Sequence, residues 1–115
     1  MSDSPNTVAV VIPAGQSESQ AIDLGLATAH RLEMPDDAWT AAAITFRVSY
    51  NGEDFDDLFL ETAEYQVTTA AIGRAIILNQ EVFFGIRRLI IRSGTAAAPV
   101  NQDAARTIRL VKAPR

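Results

Sequence analysis

Residues 44 to 50 read Ile-Thr-Phe-Arg-Val-Ser-Tyr, a strict alternation of apolar and polar side chains. Successive side chains of an extended strand point to opposite faces, so this pattern buries one face and leaves the other polar, which no helix of period 3.6 can do. The run ends at Asn51-Gly52, a pair that tolerates positive φ, and after Glu53-Asp54 a second apolar run extends from Phe55 to Leu60. Two such runs around a turn pair predict a β-hairpin. Further strands are expected at Thr7 to Ile12, Ala21 to Leu24, His30 to Met34, Glu64 to Thr69, Ala75 to Leu78, Arg88 to Arg92 and Thr107 to Lys112.

The turn signals Pro13-Ala14-Gly15, Met34-Pro35-Asp36, Asn51-Gly52, Gly73, Gly85 and Ser93-Gly94 separate these segments. Eight or nine short strands at intervals of roughly 8 to 12 residues describe an all-β antiparallel sandwich or barrel. No segment sustains a helical stripe over three turns, and the alanine clusters at 41–43, 70–71 and 96–98 are too short for helix, so they are read as small side chains in loops. At 115 residues and 48% hydrophobic content the chain can build one core without staples. The organisation expected is a flexible N-terminal arm at 1–6, a single sandwich domain at 7–112 and a flexible C-terminal tail at 113–115.

With no cysteine in the chain, disulfides, thiolate metal sites and cysteine nucleophiles are excluded. Met1 to Asn6 lack the basic and long apolar regions of a signal peptide, and no apolar run approaches the roughly 18 residues that cross a bilayer. Neither export by that route nor a membrane partner is expected.

Net charge is −4, against a nucleic-acid partner. Residues 1–65 carry twelve acidic residues against Arg31 and Arg47, a balance of −10, and residues 66–115 carry eight basic residues against Glu81 and Asp103, a balance of +6. Either strands of the two halves pair and neutralise each other across the sheets, the preferred reading, or the surface is dipolar and docks onto a charged partner.

Residues capable of chemistry do not assemble into a motif. The single histidine, His30, starts a strand with no orienting carboxylate or nucleophile in evidence. Ser93 lacks the preceding glycine of a Gly-x-Ser-x-Gly elbow and reads as a turn serine. Glu53, Asp54, Asp56 and Asp57 could offer oxygen ligands to calcium, but without EF-hand spacing they read as a solvated loop tip. No enzyme, cofactor or metal is expected. Trp39 is read as capping one end of the core, and of Phe83 and Phe84 one ring should be buried and the other near the surface. The connection Gly94 to Ala105 is the first candidate for a contact surface, because a long loop in a compact domain is often functional.

Several strings together carry a resemblance. They are Val11-Ile12-Pro13-Ala14-Gly15-Gln16-Ser17; Arg31-Leu32-Glu33-Met34-Pro35 with Trp39-Thr40 and Ala43-Ile44-Thr45-Phe46; Val48-Ser49-Tyr50-Asn51-Gly52 with Phe55 and Leu58; Leu89-Ile90-Ile91-Arg92-Ser93-Gly94; Pro99-Val100-Asn101-Gln102; and Arg106-Thr107-Ile108. Over nearly the whole chain this resembles a group of small proteins encoded among the head genes of tailed bacteriophages and related prophages. The resemblance implies a jelly-roll β-sandwich used as a capsid decoration (cement) protein or as the capsid-proximal part of a head fibre, on the virion surface after synthesis in the host cytoplasm. The implied partners are the major capsid protein and further copies of the chain, with a trimer as one closed form. Partner contacts are expected at Arg87, Arg88, Arg92, Arg106 and Arg109, which would meet an acidic shell, and at Trp39. The alternative is a carbohydrate-binding or host-adhesion module of a phage fibre or tail, with Trp39 or Tyr50 stacked on a sugar.

Overall fold

The computed structural model describes residues 6–114. Its elements in chain order are β1 (Thr7–Ile12), β2 (Ile22–Asp23), β3 (Ala27–Glu33), β4 (Ile44–Ser49), β5 (Asp56–Asp57), β6 (Phe59–Leu60), β7 (Ala63–Glu64), β8 (Ala75–Ile77), α1 (Gln80–Phe83), β9 (Arg88–Ser93) and β10 (Arg106–Pro114). The fold is all-β and antiparallel. One four-stranded sheet has the order β1-β10-β3-β8, the other β2-β9-β4-β5, and β6 and β7 form a separate ribbon. The chain crosses from one four-stranded sheet to the other at each step from β1 to β4 and again from β8 to β10; of the consecutive strands in these two sheets, β4 and β5 alone form a hairpin within one sheet.

The core lies between the two sheets. Val10, Ile12, Leu32, Ile108 and Leu110 come from the first sheet, and Ile44, Phe46, Leu89 and Ile91 from the second, each at alternate positions of its strand. Phe46 meets Phe83 edge-on with ring centroids 5.0 Å apart, and Tyr65 closes the trio at 6.0 Å from Phe46 and 5.5 Å from Phe83. The single helical turn α1 supplies Phe83. Asn79 caps it, its side-chain oxygen accepting from the amides of Glu81 and Val82. The turn leaves Phe83 fully buried and Phe84 69% exposed, the division expected of this pair.

The β4–β5 hairpin forms where the alternation and Asn51-Gly52 place it. Ser49 Oγ accepts from the amides of Asn51 and Gly52, and Asn51 Oδ1 accepts from those of Glu53 and Asp54, so the turn satisfies its own backbone. Its second arm is not one strand to Leu60. Leu58 still donates its amide to the Phe46 carbonyl of β4 and packs partly against the core; the chain then leaves the sheet and continues as β6, turning at Glu61 (φ 59°) into β7. Of the expected strand from Glu64 to Thr69 only Glu64 and a bridge from Val67 to Ile44 are present.

The ends also differ from expectation. Residues 1–5 and 115 lie outside the described residues. Asn6, placed in the arm, accepts a hydrogen bond from the Lys112 amide at its backbone oxygen. Ala113 and Pro114, placed in the tail, belong to β10, which shifts register between Val111 and Lys112 and goes on pairing with Thr28 and Ala27 of β3. Ala113-Pro114 offers no core side chain, so only backbone pairing extends the strand; Pro114 is tolerated at its last residue, where its missing N–H costs no ladder bond within the strand.

Burial predicts opposite outcomes for the adjacent rings. Phe83→Ala should lose about 3–5 kcal/mol of unfolding free energy, whereas Phe84→Ala should stay within about 0.5 kcal/mol; urea denaturation of both variants measures the difference.

Candidate functional site

The six residues expected to contact a partner fall into five separate environments. Arg92, on β9 opposite Thr45 of β4, has a side chain only 5% exposed. Its Nε donates to Thr45 Oγ1 (2.9 Å), Nη1 to Asp57 Oδ1 (2.8 Å) and Nη2 to Glu64 Oε2 (2.6 Å). Thr45 Oγ1 donates in turn to the Gly94 carbonyl, and the Glu64 carboxylate accepts the Ala96 amide at 3.1 Å. One guanidinium therefore joins β9, β4, β5, β7 and the turn after β9. Arg92 is not a docking residue, because its donors are committed to two carboxylates and a hydroxyl inside the protein.

Arg106 is likewise withdrawn from the surface, at 9% exposure. It donates from Nε to Gln102 Oε1 (3.1 Å) and from Nη2 to Asp103 Oδ1. Gln102, fully buried, also accepts the Thr40 amide (2.9 Å) and donates from Nε2 to the Thr40 carbonyl (3.0 Å) and Ser93 Oγ (2.7 Å). Both its donors and its acceptor are used, the condition for burying an amide at low cost. These bonds pin the Gly94 to Ala105 connection at its C-terminal end. Gly94 pins the other end: at φ +90° it lies so close to Ala98, Pro99 and Val100 that a Cβ would meet backbone atoms at 2.6 Å. Between these two anchors residues 96–99, 101 and 103–105 are exposed.

Arg87 and Arg88 converge on Asp23 of β2. Arg87 Nε stands 3.1 Å from Oδ1 and Arg88 Nε 3.8 Å from Oδ2. The Gly25 amide donates to the same carboxylate at 2.8 Å; that bond first, and the Arg87 guanidinium second, hold the Asp23 carboxyl below its ordinary value. Arg109 is exposed on β10 and lines a groove of about 620 Å³ with Glu33, Asp36 and Asp37, so both signs of charge face the same opening.

Trp39 is half-buried in the loop before β4, packed against the core with Nε1 donating to the Ala42 carbonyl at 3.2 Å. It also lines an open cleft of about 400 Å³ with Ala38, Ala41, Ala70, Ala71 and Ile72. Tyr50 is 84% exposed just past the far end of β4, so the two candidate sugar platforms are at opposite ends of that strand.

The remaining chemical candidates stay apart. His30 lies on β3 in the first sheet, and Ser93, fully buried at the end of β9 in the second, accepts from Gln102. The acidic loop does not converge: Asp57 turns to Arg92, and Asp54 accepts from Asn51 Nδ2 at 2.8 Å. Among the described residues no three His, Cys, Asp or Glu side chains are grouped to hold a metal, and no helix is long and apolar enough to cross a membrane. Gln102 and Glu64 were invisible as structural hubs in the sequence, since nothing local distinguishes them from other loop polar residues. Of seven ion pairs among the described residues, four join the acidic half to the basic half, through Asp23, Asp57 and Glu64 on one side and Arg87, Arg88 and Arg92 on the other. Three acidic and three basic residues thus neutralise each other between the halves, in the way the preferred reading expects.

Comparison with known proteins adds no relative: no family model, no curated protein and no solved structure matches the chain.

Two consequences are measurable. Glu64→Ala leaves the Arg92 cation buried without its closest partner and should cost about 3–5 kcal/mol in urea unfolding, while Asp57→Ala should cost less because its side chain is 39% exposed. The depressed Asp23 carboxyl favours the folded state once ionised, so its contribution is present at neutral pH and fades as pH falls through its folded-state value. An NMR titration should place Asp23 below an ordinary aspartate and move it upward in Arg87→Ala.

Proposed function

We propose that the protein is a non-enzymatic structural component of a tailed-bacteriophage virion, a capsid decoration (cement) protein that binds the major capsid protein on the outer surface of the head and stabilises it. In this reading it is made in the host cytoplasm, resides on the capsid surface and acts as a homo-oligomer. The observation that carries the proposal is the strand order: β1-β10-β3-β8 facing β2-β9-β4-β5, with the chain alternating between sheets, supports the jelly-roll form that the sequence resemblance implies.

The side chains support a binding role of this kind. A cement protein must meet many identical sites with one shape, so conformational adaptability is a disadvantage. Buried Arg92 and Arg106, with Gln102, tie loops to strands and make the body rigid. Arg87, Arg88 and Arg109 remain near the surface to meet an acidic shell, although Arg87 and Arg88 also serve Asp23. The groove beside Arg109, with Glu33, Asp36 and Asp37 opposite, suits a mixed-charge protein surface better than a uniformly anionic polymer.

A second reading, a carbohydrate-binding or host-adhesion module of a fibre or tail, draws on the Trp39 cleft, where a ring lines an open apolar surface.

Co-sedimentation with expanded, undecorated heads should show saturable binding at a fixed copy number per capsomer. Arg109→Ala should weaken that binding at least several-fold in a protein that still folds, whereas Trp39→Ala should leave occupancy of the folded protein intact. Absence of saturable head binding, with selective glycan binding on an array that Trp39→Ala abolishes, would replace the first reading with the second.

A further inference from the structure

Each sheet has two edges, and three of the four are guarded. β2 is two residues long and ends in Asp23, β5 is Asp56–Asp57, and β8 has three residues. Short strands and edge charges discourage pairing with another chain. The fourth edge, β1, is six residues long, reads Thr-Val-Ala-Val-Val-Ile, and carries no charge, proline or bulge.

Its hydrogen-bonding direction follows from its partner. The Lys112 amide donates to the Asn6 carbonyl across the β1–β10 register, and in an antiparallel pair hydrogen-bonded positions recur every second residue. Val8, Val10 and Ile12 therefore face β10 with their N–H and C=O groups, and those of Ala9 and Val11 point away from the sheet. Both residues are exposed, Val11 at 43%, with side chains on the outer face opposite Thr107 and Arg109 of β10. Beside this edge, between β1 and β2, runs a groove of about 510 Å³ lined chiefly by Val8, Val10, Val11, Ala21 and Ile22. Its single carboxylate, Asp23, is already engaged by Arg87 and Arg88.

We infer that β1 is a self-association edge, occupied by β1 of a second copy in a two-fold antiparallel pair that joins the two β1-β10-β3-β8 sheets into one continuous sheet. A two-fold axis at Val10 sets Ala9 opposite Val11 of the second copy, and each such pair exchanges both N–H···O bonds. The smaller side chain then lies against the larger. Charge selects this occupant: a charged segment finds no free counter-charge in the groove, whereas an uncharged strand of the same length meets no repulsion. Arg109 of each copy stays one strand back from the joint. The contact is two-fold and so gives a dimer in place of the trimer implied by the sequence resemblance; it does not depend on whether the protein decorates a phage head.

Light scattering and sedimentation equilibrium of the full chain over a concentration series should show the 12.4 kDa chain passing to twice that mass. Hydrogen exchange at the Ala9 and Val11 amides should slow as the dimer forms. Ala9→Lys/Val11→Lys puts ammonium groups opposite one another in the pair and should leave a folded monomer, as should Ala9→Glu/Val11→Glu; an equimolar mixture should recover the dimer, because lysines then face glutamates. A wild-type chain that stays monomeric with fast-exchanging Ala9 and Val11 amides would overturn the inference and leave the edge to a strand of another protein. So would a lysine variant that keeps the wild-type mass, or a mixture that fails to pair. Should the lysine variant not fold beside Arg109, the glutamate variant and the wild-type exchange data decide the question.

Discussion

Arg92 is a cation placed where water hardly reaches, and the outer layer of the β2-β9-β4-β5 sheet is arranged around that fact. A guanidinium out of solvent is tolerated only when carboxylates and hydrogen bonds replace its hydration. Neither carboxylate is local: Asp57 precedes it by 35 residues and Glu64 by 28. The chain must therefore leave the sheet after β5, run through the β6–β7 ribbon and return so that Glu64 reaches the strand. Tyr65, next in sequence, points the other way and joins Phe46 and Phe83 in the core. One short segment thus fastens both faces of the sheet, with an ion pair outside and a ring inside.

The second polar hub works at the adjacent loops by the same rule. Gln102 has no charge to stabilise, but an amide buried with an unmet donor or acceptor would cost about 1–3 kcal/mol. Its partners come from Thr40, Ser93 and Arg106, so the loop before β4, the end of β9 and the start of β10 share one hydrogen-bond network. No buried side-chain nitrogen or oxygen among the described residues lacks a partner. Loops that look long and adaptable in the sequence are therefore fixed where they leave the strands.

What could be read in advance follows from the range of the physics involved. The strand at 44–49, its turn and the division between Phe83 and Phe84 depend on neighbours a few residues apart, and all were legible. The fate of the arginines was not. Alternation marks Arg92 as facing away from the core, which it does; the further step from outward-facing to solvent-exposed fails because a segment about thirty residues earlier folds over it. Arg106 was hidden by a loop whose course depends on Gln102. The extension of β10 to Pro114 was illegible for a different reason, since backbone pairing leaves no mark in a sequence without core side chains. The charge halves, by contrast, were legible as a balance, and the preferred neutralising interpretation accounts for four of the ion pairs.

That balance also bears on how such a molecule can bind anything. Matching Asp23, Asp57 and Glu64 with Arg87, Arg88 and Arg92 brings the two halves from −10 and +6 to −7 and +3, so part of the asymmetry is cancelled locally and the rest is left to steer a partner over distance. Short-range features are present as well: the mixed-charge groove at Arg109, the ring and alanines at the Trp39 cleft, and the uncharged β1 edge. The first depends on side-chain charge and weakens with salt. The last depends on backbone groups and apolar contact, which salt barely affects. In the proposed decoration role the two kinds would divide the work on one body, the edge setting the spacing between copies and charge orienting each copy on what lies beneath.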